Sequence, residues 1–132
     1  MDADELVDRF QFLDDWQDRY RYLIDLGKTI PPMDDADKID ENIVRGCMSR
    51  VWVVLRPGSA PDTFDVIADS DSSIVKGLIA VAQVVFSGKT REQMALADIG
   101  ATFEDIGLNQ HISPNRRNGF FSMVERIRTG TV

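Results

Sequence analysis

From Ile74 to Phe86 the chain is apolar on nearly every side of a helical projection, interrupted only by Lys76 and Gln83. A helix of that kind is stable only when protein surrounds it, so any fold for this sequence must place the segment at its centre. Asp69, Ser70, Asp71, Ser72 and Ser73 stand immediately before it, a concentration of N-cap residue types that marks its start. Gly77 lies in its first turns. Glycine inside a helix costs about 1 kcal/mol relative to alanine and signals close approach of another backbone, so an element is expected to cross tightly over this end.

The remaining segments supply the surroundings. Leu6, Phe10, Leu13, Trp16, Tyr20, Leu23 and Ile24 recur at intervals of three and four through residues 4 to 26. That spacing predicts an amphipathic helix, with a possible break between Gln11 and Asp15 and an end at Gly27, beyond which Pro31 and Pro32 prevent a restart. Residues 33 to 42 are acidic and turn-rich, without the ligand spacing of a calcium-binding loop. From 48 to 55 the chain alternates, with Val51, Val53 and Leu55 on one face and Trp52 and Val54 on the other, so a strand covered on both faces is expected.

A loop rich in proline and glycine at 56 to 62 then leads to a second strand at Thr63 to Ala68. Two strands do not stand alone, and a third is required whose position the sequence leaves open, with 33 to 44 as one possibility. Thr90 and Gln93 form a capping-box pattern ahead of a short helix, and Phe103, Ile106 and Leu108 anchor short turns. Ser113 and Pro114 open a last helix whose inner face carries Phe120, Phe121, Val124 and Ile127. Without repeats or low-complexity linkers, residues 1 to 132 are expected to form one α+β domain.

Charge narrows the function. The formal net charge is −7, whereas nucleic-acid binding needs clustered Lys and Arg, so no nucleic acid is expected as partner. No apolar run reaches membrane length and the first residues are acidic, so a cytoplasmic protein with no membrane association is expected. One cysteine, Cys47, and one histidine, His111, are too few for a metal or cluster site, and no cofactor is expected. Chemistry at the thiol has to be intermolecular.

Cys47 sits in a polar turn, between Arg45-Gly46 and Met48-Ser49-Arg50, that runs directly into the first strand. Positive charge on both sides favours thiolate over thiol, which makes it a candidate reaction centre; the alternative is a small buried hydrophobe. His111 with Asn109 offers the parts of a nucleophilic triad, against the plainer role of a structural hydrogen-bonding histidine.

The string GCMSRVWVV, followed by DSDSSIVKGLIAV at 69 to 81 and LNQHISPNRRNGF at 108 to 120, resembles the SufE family of sulfur-acceptor proteins, and the likeness covers nearly the whole chain. The resemblance implies a small antiparallel sheet of about three strands with helices packed mainly on one face, similar to the IscU-type scaffold protein. It implies that Cys47 takes persulfide sulfur from a PLP-dependent cysteine desulfurase, stimulates that enzyme, and passes the sulfur to an iron–sulfur cluster assembly scaffold. Gly46, Cys47, Ser49, Val51 and Trp52 fall on the family's active loop, Asp69 and Asp71 on its acidic cap, and His111 and Arg116 on its last block. Together with Arg45 these are the residues expected to support the loop or line the docking face. Arg45 and Met48 replace a glutamine common in the family, and Arg117 offers a second arginine beside Arg116. A sulfur carrier of this kind is a transfer protein and activator rather than a stand-alone enzyme, monomeric or weakly dimeric. The competing readings are a regulatory interaction module with Cys47 incidental, and a redox sensor.

Overall fold

Aspartates at positions 2 and 15 open two successive helices, because each carboxylate accepts an amide of its own first turn, Asp2 from Glu5 and Asp15 from Gln17. The computed structural model describes residues 1–45 and 49–130, the side chain of Asn109 excepted. α1 spans Ala3–Phe12 and α2 spans Trp16–Gly27, so the break falls within the interval the sequence allowed. Leu6, Phe10 and Leu23 are fully buried, while Leu13, Trp16, Tyr20 and Ile24 are half-buried, so two helices share what looked like one stripe.

β1 (Val51–Pro57) and β2 (Thr63–Ser70) pair antiparallel, with Val51 opposite Ser70 and Leu55 opposite Val66. The third strand is β3, Lys89–Thr90, paired antiparallel with Thr63 and Phe64 of β2. The 33 to 44 segment gives only a single bridge, Ile43 to Trp52, because residues 35–37 and 40–42 are wound into 3₁₀ turns.

Val51, Val53, Leu55, Val66, Ala68 and Ser70 form the buried face of the sheet. Against it pack α3 (Ser73–Phe86) and α7 (Pro114–Thr129). The opposite face is not equally covered: Trp52, Val54, Ile67 and Asp69 stay half-buried, met in part by Lys38, whose ammonium lies 5.8 Å from the Trp52 ring centre. The expected burial of β1 on both faces is therefore corrected to burial on one. Helices occupy that side, and the other keeps polar neighbours.

The tight crossing over Gly77 is made by α2. A Cβ on Gly77 would collide with the carbonyl oxygen of Leu23 and come within 2.7 Å of its Cγ. Gly27, expected as a helix terminator, belongs to the last turn of α2 with Lys28 as its C-cap, and its small size serves the same crossing. α4 (Arg91–Leu96) begins with the reciprocal Thr90 and Gln93 capping bonds. α5 (Ile99–Asp105) and α6 (Leu108–His111) seat Phe103, Ile106 and Leu108 in full burial. On α7, Phe120, Val124 and Ile127 face inward as expected, but Phe121 is 36% exposed and Met123 takes the fourth inner place.

Candidate functional site

The turn carrying the cysteine is tied at its base by backbone. Val44 N–H donates to the Val51 carbonyl at 2.8 Å, next to the Ile43–Trp52 bridge, which closes the connection formed by residues 45 to 50. Asp71 adds a second tie. Its Oδ1 accepts the Arg50 N–H at 3.2 Å, and its own N–H donates to the Arg50 carbonyl at 3.4 Å. Arg45 and Arg50 are exposed on either side. Gly46, Cys47 and Met48 lie outside the described residues.

Where the chain re-enters β1, a groove of about 510 Å³ opens between the first turns of α3 and α7. Ser49 and Val51 form one lip, Val75 and Leu78 come from α3, and Gly119, Phe120 and Met123 from α7. Ser113, Asn115 and Arg116 make a polar rim at the start of α7, where the Ser113 hydroxyl accepts the Arg116 N–H at 3.3 Å as an N-cap. Apolar walls with a few polar groups on the rim are the usual make-up of a binding cleft.

Trp52, expected beside the active loop, points to the other side of the sheet and is not among the described residues lining the groove. Asp69 shares its side. Burial pushes the Asp69 carboxyl up, but Lys38 at 3.0 Å, the Ser70 N–H at 2.8 Å and Lys76 at 3.7 Å together outweigh burial and hold it below the ordinary carboxylate range. The Lys38 ammonium is raised in turn, chiefly by its hydrogen bond to Asp69.

Neither acidic residue caps α3, contrary to expectation. Ser72 holds the N-cap position without a side-chain bond, and its N–H donates to the Ser70 hydroxyl at 3.2 Å. Asp71 fastens the cysteine turn and Asp69 fastens the segment around Lys38.

His111 ends α6, exposed, and its ring stacks on Trp16 of α2 with centres 4.2 Å apart and planes 15° from parallel. It is not among the described residues lining the groove. Arg116 is; Arg117 is half-buried and is not. The geometry thus gathers Ser49 and Arg116 at the groove, puts Arg50 and Asp71 at the base of the turn, and sends Trp52 and Asp69 to the opposite face.

Several participants were not singled out from sequence. Lys76 was visible as the lone charge in an apolar run, which signals a carboxylate partner. Val75, Leu78 and Met123 could be assigned to helices but not to a shared cavity, because that depends on how α3 and α7 meet. Trp16 gave no sign of its histidine.

Residues 4–131 match the family model of the SufE domain, described as an Fe-S metabolism associated domain. The chain belongs to the SufE family. An uncharacterized SufE-like protein of Rhizobium meliloti is 44% identical over 130 residues, covering 96% of this chain and 91% of the relative. Another SufE-like protein, from Rhizobium etli, is 43% identical over 127 residues, covering 95% of this chain and 86% of that one. In three dimensions the chain resembles the solution structure of a hypothetical protein from Thermus thermophilus, with a TM-score of 0.75 at 15% identity, covering 96% and 90% of the two chains. That likeness concerns the fold alone. SufE membership links the chain to iron–sulfur metabolism. Among the described residues, no helix is long and apolar enough to cross a membrane.

Proposed function

We propose that this SufE-family protein is a sulfur acceptor, taking persulfide sulfur from a PLP-dependent cysteine desulfurase onto Cys47 and delivering it to an iron–sulfur assembly scaffold. The observation that carries the reading is the apolar groove with Ser49 and Val51 on its lip, two and four residues beyond Cys47 in the sequence. A turn clamped at its base by Val44, Val51 and Asp71 can present its tip to a second protein without disturbing the sheet.

The reaction is thiol–disulfide exchange in kind. The Cys47 thiolate attacks the outer sulfur of the donor's cysteine persulfide, a new S–S bond forms at Cys47, the donor S–S bond breaks, and the donor leaves as thiolate. One sulfur and its proton change carrier, and no electrons are gained or lost overall. Arg45 and Arg50 favour the thiolate that begins the step. Val75, Leu78, Phe120 and Met123 exclude water and stray thiols from the product persulfide once it folds back against the groove.

Arg45, Ser49, His111 and Arg116 form the docking side in this account, while Asp71 and the Ile43–Trp52 bridge support the base of the turn and Asp69 holds the neighbouring segment around Lys38. Removing sulfur from the donor frees it for another cycle, so the desulfurase is accelerated by a consumable acceptor.

Turnover of the desulfurase with L-cysteine, measured with and without this protein, tests the reading. Wild type is expected to raise turnover and Cys47→Ser to bind without raising it. Equal stimulation by both would leave a regulatory module with an incidental thiol.

A further inference from the structure

The segment from Ile106 to His111 is held against the start of α2 by two side chains. Arg19 reaches both ways: its Nε donates to the Leu13 carbonyl at 2.7 Å, between α1 and α2, and its Nη1 donates to the Ile106 carbonyl at 3.3 Å. A guanidinium carries its donors in a fixed planar fork, so those two carbonyls are kept at a set separation. Trp16, three residues before Arg19, stacks its ring on His111 at the other end of the same segment. Residues three apart on a helix are neighbours, and Trp16 with Arg19 forms one bracket. Gly107 shows how closely it fits. The residue has a φ of 82°, and a Cβ there would stand 2.9 Å from Arg19 Nη1.

The bracket holds the chain that leads into the groove rim. Ser113, the N-cap of α7, comes two residues after His111. The first turn of α7, from Pro114 to Asn118, contains no buried residue, and burial begins at Gly119. The core therefore seats α7 from Gly119 onward, through Phe120, Met123, Val124 and Ile127. The turn bearing Arg116 takes its place from the Ser113 cap and from the chain before it. Leu108 and Ile112 anchor that chain to the core from within, and the Trp16 ring meets it at the exposed His111.

On the sulfur-acceptor reading, we infer that Trp16 and Arg19 are positioning residues for docking. Through the His111 ring and the Ile106 carbonyl they set the rim that carries Ser113 and Arg116, and thereby the affinity for the desulfurase. Neither is among the described residues lining the groove, and the cysteine turn is tied separately through Val44 and Asp71. Loss of the bracket should weaken docking and spare the sulfur step.

Turnover of the desulfurase with L-cysteine, measured at rising concentrations of this protein, separates the two effects. Trp16→Ala is expected to raise the half-saturating concentration by about fivefold and to keep maximal turnover within about twofold of wild type. Trp16→Phe keeps a ring for His111 to stack on and is expected to restore most of the loss. The Trp16→Ala/His111→Ala double variant is expected to be no weaker than His111→Ala alone, because Trp16 acts through that ring. The Arg116 amide, bonded to the Ser113 hydroxyl, is expected to exchange several times faster in Trp16→Ala, while the Gln93 amide, capped by Thr90, is unchanged. An equal rise at both amides would show general loosening and overturn the assignment. Unchanged half-saturation beside an active wild type would overturn the positioning role alone, whereas a wild type that neither binds nor stimulates the enzyme would overturn the sulfur-acceptor reading and this role with it.

Discussion

Gly27 and Gly77 meet across the α2–α3 crossing so closely that a Cβ on Gly27 would stand 2.6 Å from the Gly77 backbone nitrogen. The contact seats α2 on the helix whose first turns line the groove. Gly77→Ala gains helix propensity but forces the crossing apart, and a net loss of about 1 to 3 kcal/mol is expected, seen as a Tm lower by about 3 to 10 °C. Gly100→Ala is the control, since its Cβ would meet only Asp98 Oδ1 at an ordinary 3.5 Å. It is expected to leave Tm unchanged or raise it slightly. Equal effects at both positions would contradict the close-approach account.

Asp69 predicts a pH-dependent term. Its carboxyl is held below the ordinary range in the folded chain, so its stabilisation is fully present above the unfolded value and is lost as pH falls through the folded one. Asp69→Asn is expected to cost about 1 to 2 kcal/mol at pH 7, with the gap to wild type closing below about pH 4. Denaturant melts of both proteins across that range check it, and a gap that persists in acid would show that Asp69 acts by packing.

Asp71 fixes the base of the cysteine turn through the Arg50 amide at 3.2 Å. Asp71→Ala removes the side-chain acceptor and leaves the longer backbone bond. The Arg50 amide is expected to exchange faster by about tenfold while global stability falls by only about 1 kcal/mol. Sulfur transfer should slow by a similar or smaller factor. An unchanged Arg50 exchange rate would mean that the backbone alone holds the turn.

Val75 tests the groove as shelter. It is half-buried, so Val75→Asp costs about 1 kcal/mol or less in folding but puts a hydrated charge on the groove wall. Persulfide loaded on the variant is expected to be lost to added glutathione several times faster than on wild type. Equal lifetimes would remove the groove from the mechanism.

Local features were legible in the sequence. The Thr90 and Gln93 capping box and the Ser113-Pro114 helix start depend on residues three or fewer apart, and both form as written. Gly77 announced a crossing but could not name α2 as the crossing element. β3 was invisible because two residues, Lys89 and Thr90, carry no pattern and become a strand only by reaching Thr63 and Phe64. Asp69 and Asp71 looked like caps by type; their partners Lys38 and Arg50 lie 31 and 21 positions earlier, and tertiary pairing prevailed over local capping. Alternation assigned Trp52 and Val54 to a face without revealing that the helices would leave that face half-open. The groove beside Ser49 was likewise beyond reach, since its walls come from three separate elements.

The most direct test of the carrier account is the mass of the Cys47 peptide after incubation with a holo cysteine desulfurase and L-cysteine. The account predicts a gain of about 32 Da, one sulfur, on Cys47, absent when Cys47→Ser is used. An unmodified Cys47 peptide, found while the desulfurase itself carries a persulfide, would contradict it.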